Sequence, residues 1–185
     1  MTTFIERASG KVLTLRRETH SAGLYTYTLI GADTQRNVGQ ICFRCREATR
    51  ELTIGTVRVC GHLNEARSRN PNPGVGRLLM YLACRYSFVK GARKIDLHSL
   101  QSAAPFYRLM GMHHPVVANP MFGKLERSAH GKLQPAWLKV FEANFSSTRT
   151  GGSMLGEIRT VLACIEKKIK TQWEERAHHS SFLVL

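Results

Sequence analysis

The sequence predicts an α/β protein built on one mixed β-sheet, and three observations lead to that prediction. Runs rich in Val, Ile, Thr and aromatic residues, separated by turn formers, fill the N-terminal third, as in antiparallel strands. From Val75 onward the apolar residues follow the i, i+3, i+4, i+7 stripe of an amphipathic helix. Residues 92–98 then alternate between apolar and polar, which is typical of a strand that returns to the sheet by a crossover.

The composition is that of a single folded domain. Of the 185 residues, 43% are hydrophobic and 22% are charged, which excludes a disordered chain, a coiled coil or a fibre. The formal net charge of +14 favours anionic partners such as nucleotides, nucleic acid or phosphate-rich cofactors. No run approaches the roughly 18 apolar residues of a membrane span, and the start of the chain is too polar for a signal peptide. We therefore expect a cytoplasmic protein with no membrane partner and with reduced cysteines.

The N-terminal two thirds divide into short elements. Strands are predicted over residues 11–16, 24–30, 38–44 and 52–60, and their close spacing favours an antiparallel meander. The helix that starts at Val75 ends at Gly91, a residue that suits a helix C-terminus. A second, short helix follows the strand at 92–98; Ser102 caps it, Pro105 lies in its first turn and Gly111 ends it.

The last third is predicted to contain one strand and two helices. The strand covers residues 112–118, and the helices cover 135–145 and 153–173, with a flexible linker at 146–153 and a frayed tail from 177. We divide the chain into a main domain, residues 1–150, and a C-terminal helix and tail, residues 151–185. The C-terminal helix is expected to pack on the domain or on a partner.

The segment NPNPGVGRLLM, residues 70–80, carries the clearest chemistry. Gly74 and Gly76 let the backbone turn tightly and approach a ligand. The first turn of the helix that follows has amides without intrahelical partners, and the helix dipole adds positive potential there. We therefore predict a site for a phosphate-bearing anion formed by Val75, Gly76, Arg77 and Leu78. A glycine-rich helix cap without a ligand is the alternative.

This segment resembles the signature of the GNAT acyltransferase superfamily, which reads Arg or Gln, two residues, Gly, any residue, then Gly or Ala. A second block resembles the family helix that reads Ala, three residues, Tyr, three residues, Gly-Phe; here it is Ala103, Tyr107, Gly111 and Met112. Pro71 stands where the signature has Arg or Gln. The resemblance covers residues 12–117 and implies a GNAT-like acyltransferase fold with a splayed central sheet for residues 1–150.

What the resemblance implies is an acyl-CoA-dependent N-acyltransferase without a metal. Acetyl-CoA is the expected donor, and a primary amine attacks it directly in a ternary complex. Gly74, Val75, Gly76, Arg77 and Leu78 are expected to bind coenzyme A, with Leu63 and Asn64 pairing to its pantetheine arm. The catalytic candidates are Tyr107, which would protonate the departing thiolate, and His62 or Glu65, which would take the proton of the amine.

Other interpretations remain open at this point. The amine acceptor is a protein, a small molecule or an aminoacyl-tRNA. The competing function is a non-catalytic basic module that binds nucleic acid or another protein, although the Lys and Arg residues are spread along the chain rather than gathered. Cys42 and Cys45 have zinc-like spacing, but on a strand two thiols three residues apart point to opposite faces, so no metal is predicted.

Overall fold

The structure is a computed structural model that describes residues 2–20, 23–59, 72–100, 103–113 and 152–177. Its strands are β1 Thr2–Glu6, β2 Val12–Thr19, β3 Leu24–Gly31, β4 Asn37–Arg46, β5 Glu51–Val59, β6 Lys94–Ser99, β7 Gly152–Glu157 and β8 Trp173–Ala177. Its helices are α1 Val75–Val89, α2 Ala104–Arg108 and α3 Ile158–Gln172. None of these described helices has the length and apolar character that a membrane span requires.

All the described strands belong to one sheet in the order β7-β6-β5-β4-β3-β2-β1-β8. Strands β1 to β5 form an antiparallel meander, and β1 is a strand that the sequence analysis did not predict. Strand β6 is parallel to β5, so β5, α1 and β6 form the predicted crossover. The predicted fold class, an α/β protein with a mixed sheet, is confirmed.

Residues 152–177 form a strand, a helix and a second strand that extend the same sheet at both edges. Strand β7 pairs with β6, and β8 pairs with β1. The prediction of a helix over 153–173 is wrong in its first turn, because α3 begins at Ile158. Gly152 and Gly156 disfavour a helix there, and burial alternates along β7, with Met154 and Gly156 buried and their neighbours exposed.

Other predictions for this region fall mostly on residues outside the described ranges. Of the strand predicted at 112–118, the described part forms one isolated bridge between His113 and Leu155. The helix predicted at 135–145 lies outside the described residues. Most of the linker predicted at 146–153 also lies outside the described residues. The division of the chain at residue 150 therefore stays a prediction.

Helix α1 forms the centre of the core. Its residues from Leu78 to Cys84 are all buried, and seven consecutive residues point in every direction around a helix. Two partners cover it: strands β3, β4 and β5, and helix α3. Helix α3 contributes Val161, Ile165 and Ile169 from its apolar stripe. The body of α1 is therefore held between the sheet and α3.

Candidate functional site

Strands β5 and β6 are paired over only part of their length. The parallel register ends at Ile54 and Leu97, whereas β5 continues to Val59 and β6 continues to Ser99. Within the described residues, the last part of β5 therefore has no ladder partner on its β6 side. The two strands part at this end, which is the splayed arrangement that the resemblance implied.

A β-bulge lies at the point where the strands part. On the neighbouring strand β4, Cys42 pairs with Thr56 and Phe43 pairs with Ile54, so Gly55 is the extra residue of β5. A bulge bends its strand and increases the local twist. The bend explains why β5 leaves β6 directly after Ile54.

The start of α1 brings the predicted anion-binding residues together. Gly74 precedes the helix with a φ of +84°, a left-handed conformation that favours glycine. The Leu78 N–H donates to the Gly74 carbonyl at 2.9 Å, and the Val75 N–H approaches the Asn72 carbonyl at 3.4 Å. The predicted use of the Leu78 amide for a ligand is therefore wrong, because that amide already has an acceptor.

Gly76 and Arg77 lie in the first turn of α1, and the anion-binding role expected of them stays a prediction. They occupy the second and third positions of α1, where the helix geometry provides no intrahelical acceptor for the N–H groups. The first turn has no acidic residue and no side-chain cap. The arrangement suits an anion at this end of the helix, with the charge of Arg77 beside it.

The first turn of α1 also lies against the end of β5 and against α2. A Cβ atom built on Gly76 would lie 3.4 Å from Val59 Cγ2 and 3.4 Å from Phe106 Cζ. The splayed strand, the glycine loop and the second motif therefore meet at Gly76. The sequence analysis did not predict a role for Phe106 at the site. Its position directly before the motif residue Tyr107 is the one indication that the sequence offers.

Tyr107 follows Phe106 in α2, and the two rings meet edge to face with centroids 5.1 Å apart. The side chain of Tyr107 is buried, and burial raises the pKa of its hydroxyl. Its carbonyl accepts the N–H groups of Met110 and Met112, which closes the end of the short helix. A phenol carries its proton at neutral pH even at its ordinary pKa of about 10, so the raised pKa leaves the Tyr107 hydroxyl protonated.

Side chains from distant parts of the chain hold the loop before α1. Lys11 Nζ donates to Asn72 Oδ1. Gln172, the last residue of α3, donates from Nε2 to the Pro73 carbonyl at 3.0 Å and to Glu6 Oε1 at 3.2 Å. These contacts were not predicted, because no local pattern connects residues so far apart in sequence.

Several predicted site residues lie outside the described ranges. They are His62, Leu63, Asn64 and Glu65, together with Pro71 of the signature. His98, a further histidine at the end of the strand that follows α1, is described; it lies exposed on β6 and pairs with Ser153 of β7.

The described residues contain no group of three His, Cys, Asp or Glu side chains that could hold a metal ion. Cys45 lies on the core face of β4 with Ile41 and Phe43, and Cys42 lies on the other face. The two thiols therefore point apart, as their spacing on a strand predicts.

Comparisons with known proteins concern the fold. No family model matches the sequence, and no curated protein matches it. Solved structures do match. The chain is similar in fold to GNAT-family acetyltransferases.

Three of these structures show the extent of the likeness. The nourseothricin acetyltransferase shares 19% identity at a TM-score of 0.46, over 85% of this chain and 84% of its own. A GNAT-family acetyltransferase from Staphylococcus aureus Mu50 shares 16% identity at a TM-score of 0.46, over 74% of this chain and 69% of its own. The PaiA N-acetyltransferase from Thermoplasma acidophilum, solved in complex with coenzyme A, shares 10% identity at a TM-score of 0.44. The match covers 73% of this chain and 61% of that protein. These values describe a likeness in the course of the chain and carry no information on substrate.

Proposed function

We propose that this chain is a GNAT-type N-acyltransferase that transfers an acyl group, with acetyl as the expected group, from coenzyme A to a primary amine. The amine attacks the thioester directly while both substrates are bound. This proposal extends to a cytoplasmic location and to coenzyme A as a partner.

One observation carries the proposal: the gap between β5 and β6 opens at the same place where α1 begins with a glycine-rich first turn. Val59 at the end of β5 lies beside Gly76 of α1, since a Cβ atom built on Gly76 would lie 3.4 Å from Val59 Cγ2. An extended arm with amide groups fits beside the unpaired edge of β5. A diphosphate at its end fits the N–H groups of Gly76 and Arg77, where a side chain that extends beyond Cβ would meet Phe106.

The chemistry assigns Tyr107 to the leaving group. Acetyl-CoA supplies an acyl thioester; a C–N bond forms, the C–S bond breaks, and sulfur leaves as a thiolate that needs a proton. Tyr107 is buried in α2, directly after the residue that contacts Gly76. A phenol is protonated at neutral pH, and burial keeps the Tyr107 hydroxyl in that form; we assign it to donate its proton to the thiolate.

The attacking amine must lose a proton, because a free alkyl amine has a pKa of about 10.4. We assign this step to His62 or Glu65, which the sequence places just after β5. The oxyanion that forms during the attack is stabilised by an N–H on the unpaired side of β5 beyond Gly55, since backbone donors fixed in place act without reorganisation.

Calorimetric titration tests this function. The wild-type chain is titrated with acetyl-CoA and with single-stranded RNA at low and at moderate salt. We expect saturable binding of acetyl-CoA that persists at moderate salt, because its hydrogen bonds and apolar contacts are not screened as phosphate charges are. The variant Gly76→Leu should lose this binding, and the matched control Gly76→Ala should keep it, because an alanine Cβ makes ordinary contacts at this position.

Two results would contradict the proposal. One is binding of any polyanion with no preference for coenzyme A and with loss at moderate salt, which is the behaviour of a nucleic-acid module. The other is full acetyl-CoA binding by Gly76→Leu.

A further inference from the structure

We propose that Gln172 is a positioning residue for coenzyme A, because it fixes the backbone of the loop that leads into α1. This inference rests on the proposed function and names a residue in the C-terminal segment, far in sequence from either family motif.

The hydrogen bonds of Gln172 use both hydrogens of its side-chain amide. Nε2 donates to the Pro73 carbonyl at 3.0 Å and to Glu6 Oε1 at 3.2 Å, and a primary amide has two donors to give. Glu6 is itself fixed, since its other carboxylate oxygen accepts the Ser9 hydroxyl at 2.6 Å. Gln172 thus links the loop to the end of β1 through a charged acceptor, which makes a stronger bond than a neutral one.

The bond to Pro73 determines where the next amide points. A peptide unit is planar, so a fixed Pro73 carbonyl also fixes the direction of the Gly74 N–H. The Gly74 carbonyl in turn accepts the Leu78 N–H at 2.9 Å. Both peptide groups of Gly74 are therefore held, one by Gln172 and the other by α1, and the first turn of the helix starts from a defined direction.

The side chain of Gln172 also packs directly against Gly74. A Cβ atom on Gly74 would come within 2.6 Å of Gln172 Cδ, well inside van der Waals contact. The amide plane of Gln172 lies on the face of the loop where Gly74 has no side chain. Position 74 therefore requires glycine for two reasons: its φ is left-handed, and a side chain there would collide with Gln172.

The backbone of Gln172 is anchored as well. Its carbonyl accepts the Arg7 N–H at 2.9 Å, and the next residue, Trp173, begins strand β8 beside β1. The side chain consequently extends from a rigid position at a sheet edge toward the loop. A second contact, from Lys11 to Asn72, holds the loop from the β1–β2 turn, so Gln172 supports the loop together with other contacts.

The test uses the full chain with two variants and one matched control. Gln172→Met keeps the volume and removes both hydrogen bonds, and Gln172→Glu keeps the shape but places a carboxylate beside Glu6 and the Pro73 carbonyl. The control is Gln40→Met, which removes a glutamine hydrogen bond to Thr28 in the sheet. For each we would measure the Kd for coenzyme A, kcat and KM, and hydrogen exchange in peptides that contain residues 72–78.

We expect Gln172→Met to raise the Kd and the KM for the coenzyme by about fivefold to tenfold, the worth of one ordinary hydrogen bond or slightly more. Gln172→Glu should raise them further. Exchange of the 72–78 amides should become faster in both variants, while kcat at saturating coenzyme and all values for Gln40→Met stay near those of the wild type.

The outcomes separate this inference from the proposed function. A wild-type chain that does not bind coenzyme A overturns the function. A wild-type chain that binds it, with unchanged Kd and unchanged loop exchange in Gln172→Met, overturns the role of Gln172 alone. The same holds if kcat falls and the Kd does not change, because a positioning residue for the coenzyme acts on binding.

Discussion

The two glycines that flank Val75 should respond in opposite ways to alanine. Gly74→Ala places a side chain in the left-handed region, which costs about 1–2 kcal/mol. The new Cβ would also come within 2.6 Å of Gln172 Cδ, so the amide must move away from Pro73 and Glu6, at a further cost of about 1 kcal/mol. We expect a destabilisation of about 2–3 kcal/mol in total.

Gly76→Ala should be neutral or stabilising. Its Cβ would lie 3.4 Å from both Val59 and Phe106, which is ordinary van der Waals contact. Alanine loses less backbone entropy than glycine when a helix forms, an advantage of up to about 1 kcal/mol within a helix.

Urea unfolding and thermal unfolding, both followed by circular dichroism, measure these effects, with the wild type as reference. For a chain of this size, each 1 kcal/mol corresponds to a change in Tm of about 2–4 °C, so the two variants should differ by roughly 5 °C or more. If they unfold at the same urea concentration, or if Gly76→Ala is the less stable, the described geometry of this loop is wrong.

Three further predictions concern titrating side chains. Tyr107→Phe should lower kcat by about 100-fold or more with little change in the Kd for coenzyme A; an unchanged kcat removes Tyr107 from the mechanism. Burial raises the pKa of Tyr27 from 10.0 to about 12, so Tyr27 keeps its proton to a higher pH in the folded state than in the unfolded state. The free energy of unfolding should therefore be unaffected below pH 10 and fall by about 2–3 kcal/mol as the pH rises toward 12; the same decline in Tyr27→Phe would refute this cause. Burial also raises the pKa of the Cys84 thiol to about 12, whereas Cys164 is exposed; iodoacetamide at pH 8 should modify Cys164 and spare Cys84 in the native protein, as read by peptide mass spectrometry.

The elements that the sequence predicted well are those whose signal is local. The meander and α1 follow from alternation and from the helical stripe that begins at Val75, and both are present with small shifts at their ends. The tight turn at Gly74 was expected from glycine alone, whereas the closeness of Gly76 to Val59 and Phe106 was not predicted. These features depend on residues within one turn or one strand of each other.

What the sequence could not predict depends on pairing between distant segments. Strand β7 reads as the first turn of a helix, because Met154 and Leu155 continue the apolar stripe of α3; its pairing with β6 overrides that stripe. The Leu78 amide was expected to be open to a ligand, and the choice of the Gly74 carbonyl as its acceptor depends on the exact start of the helix. The contact of Gln172 with Pro73 joins residues 99 positions apart, and no spacing rule reaches so far.

Both outermost strands of the sheet come from the same late stretch of the chain, with α3 between them. Strand β1 pairs with β8, the last strand of the described residues: Thr3 donates its hydroxyl to the carbonyl of Arg176, 173 residues later. Contacts between such remote partners slow folding, because a large loop must close before they form. Without residues 152–177, the described part of the sheet has two exposed edges, β6 and β1, and such edges can pair with other chains. A chain that stops before residue 152 should therefore be much less soluble than the longer one.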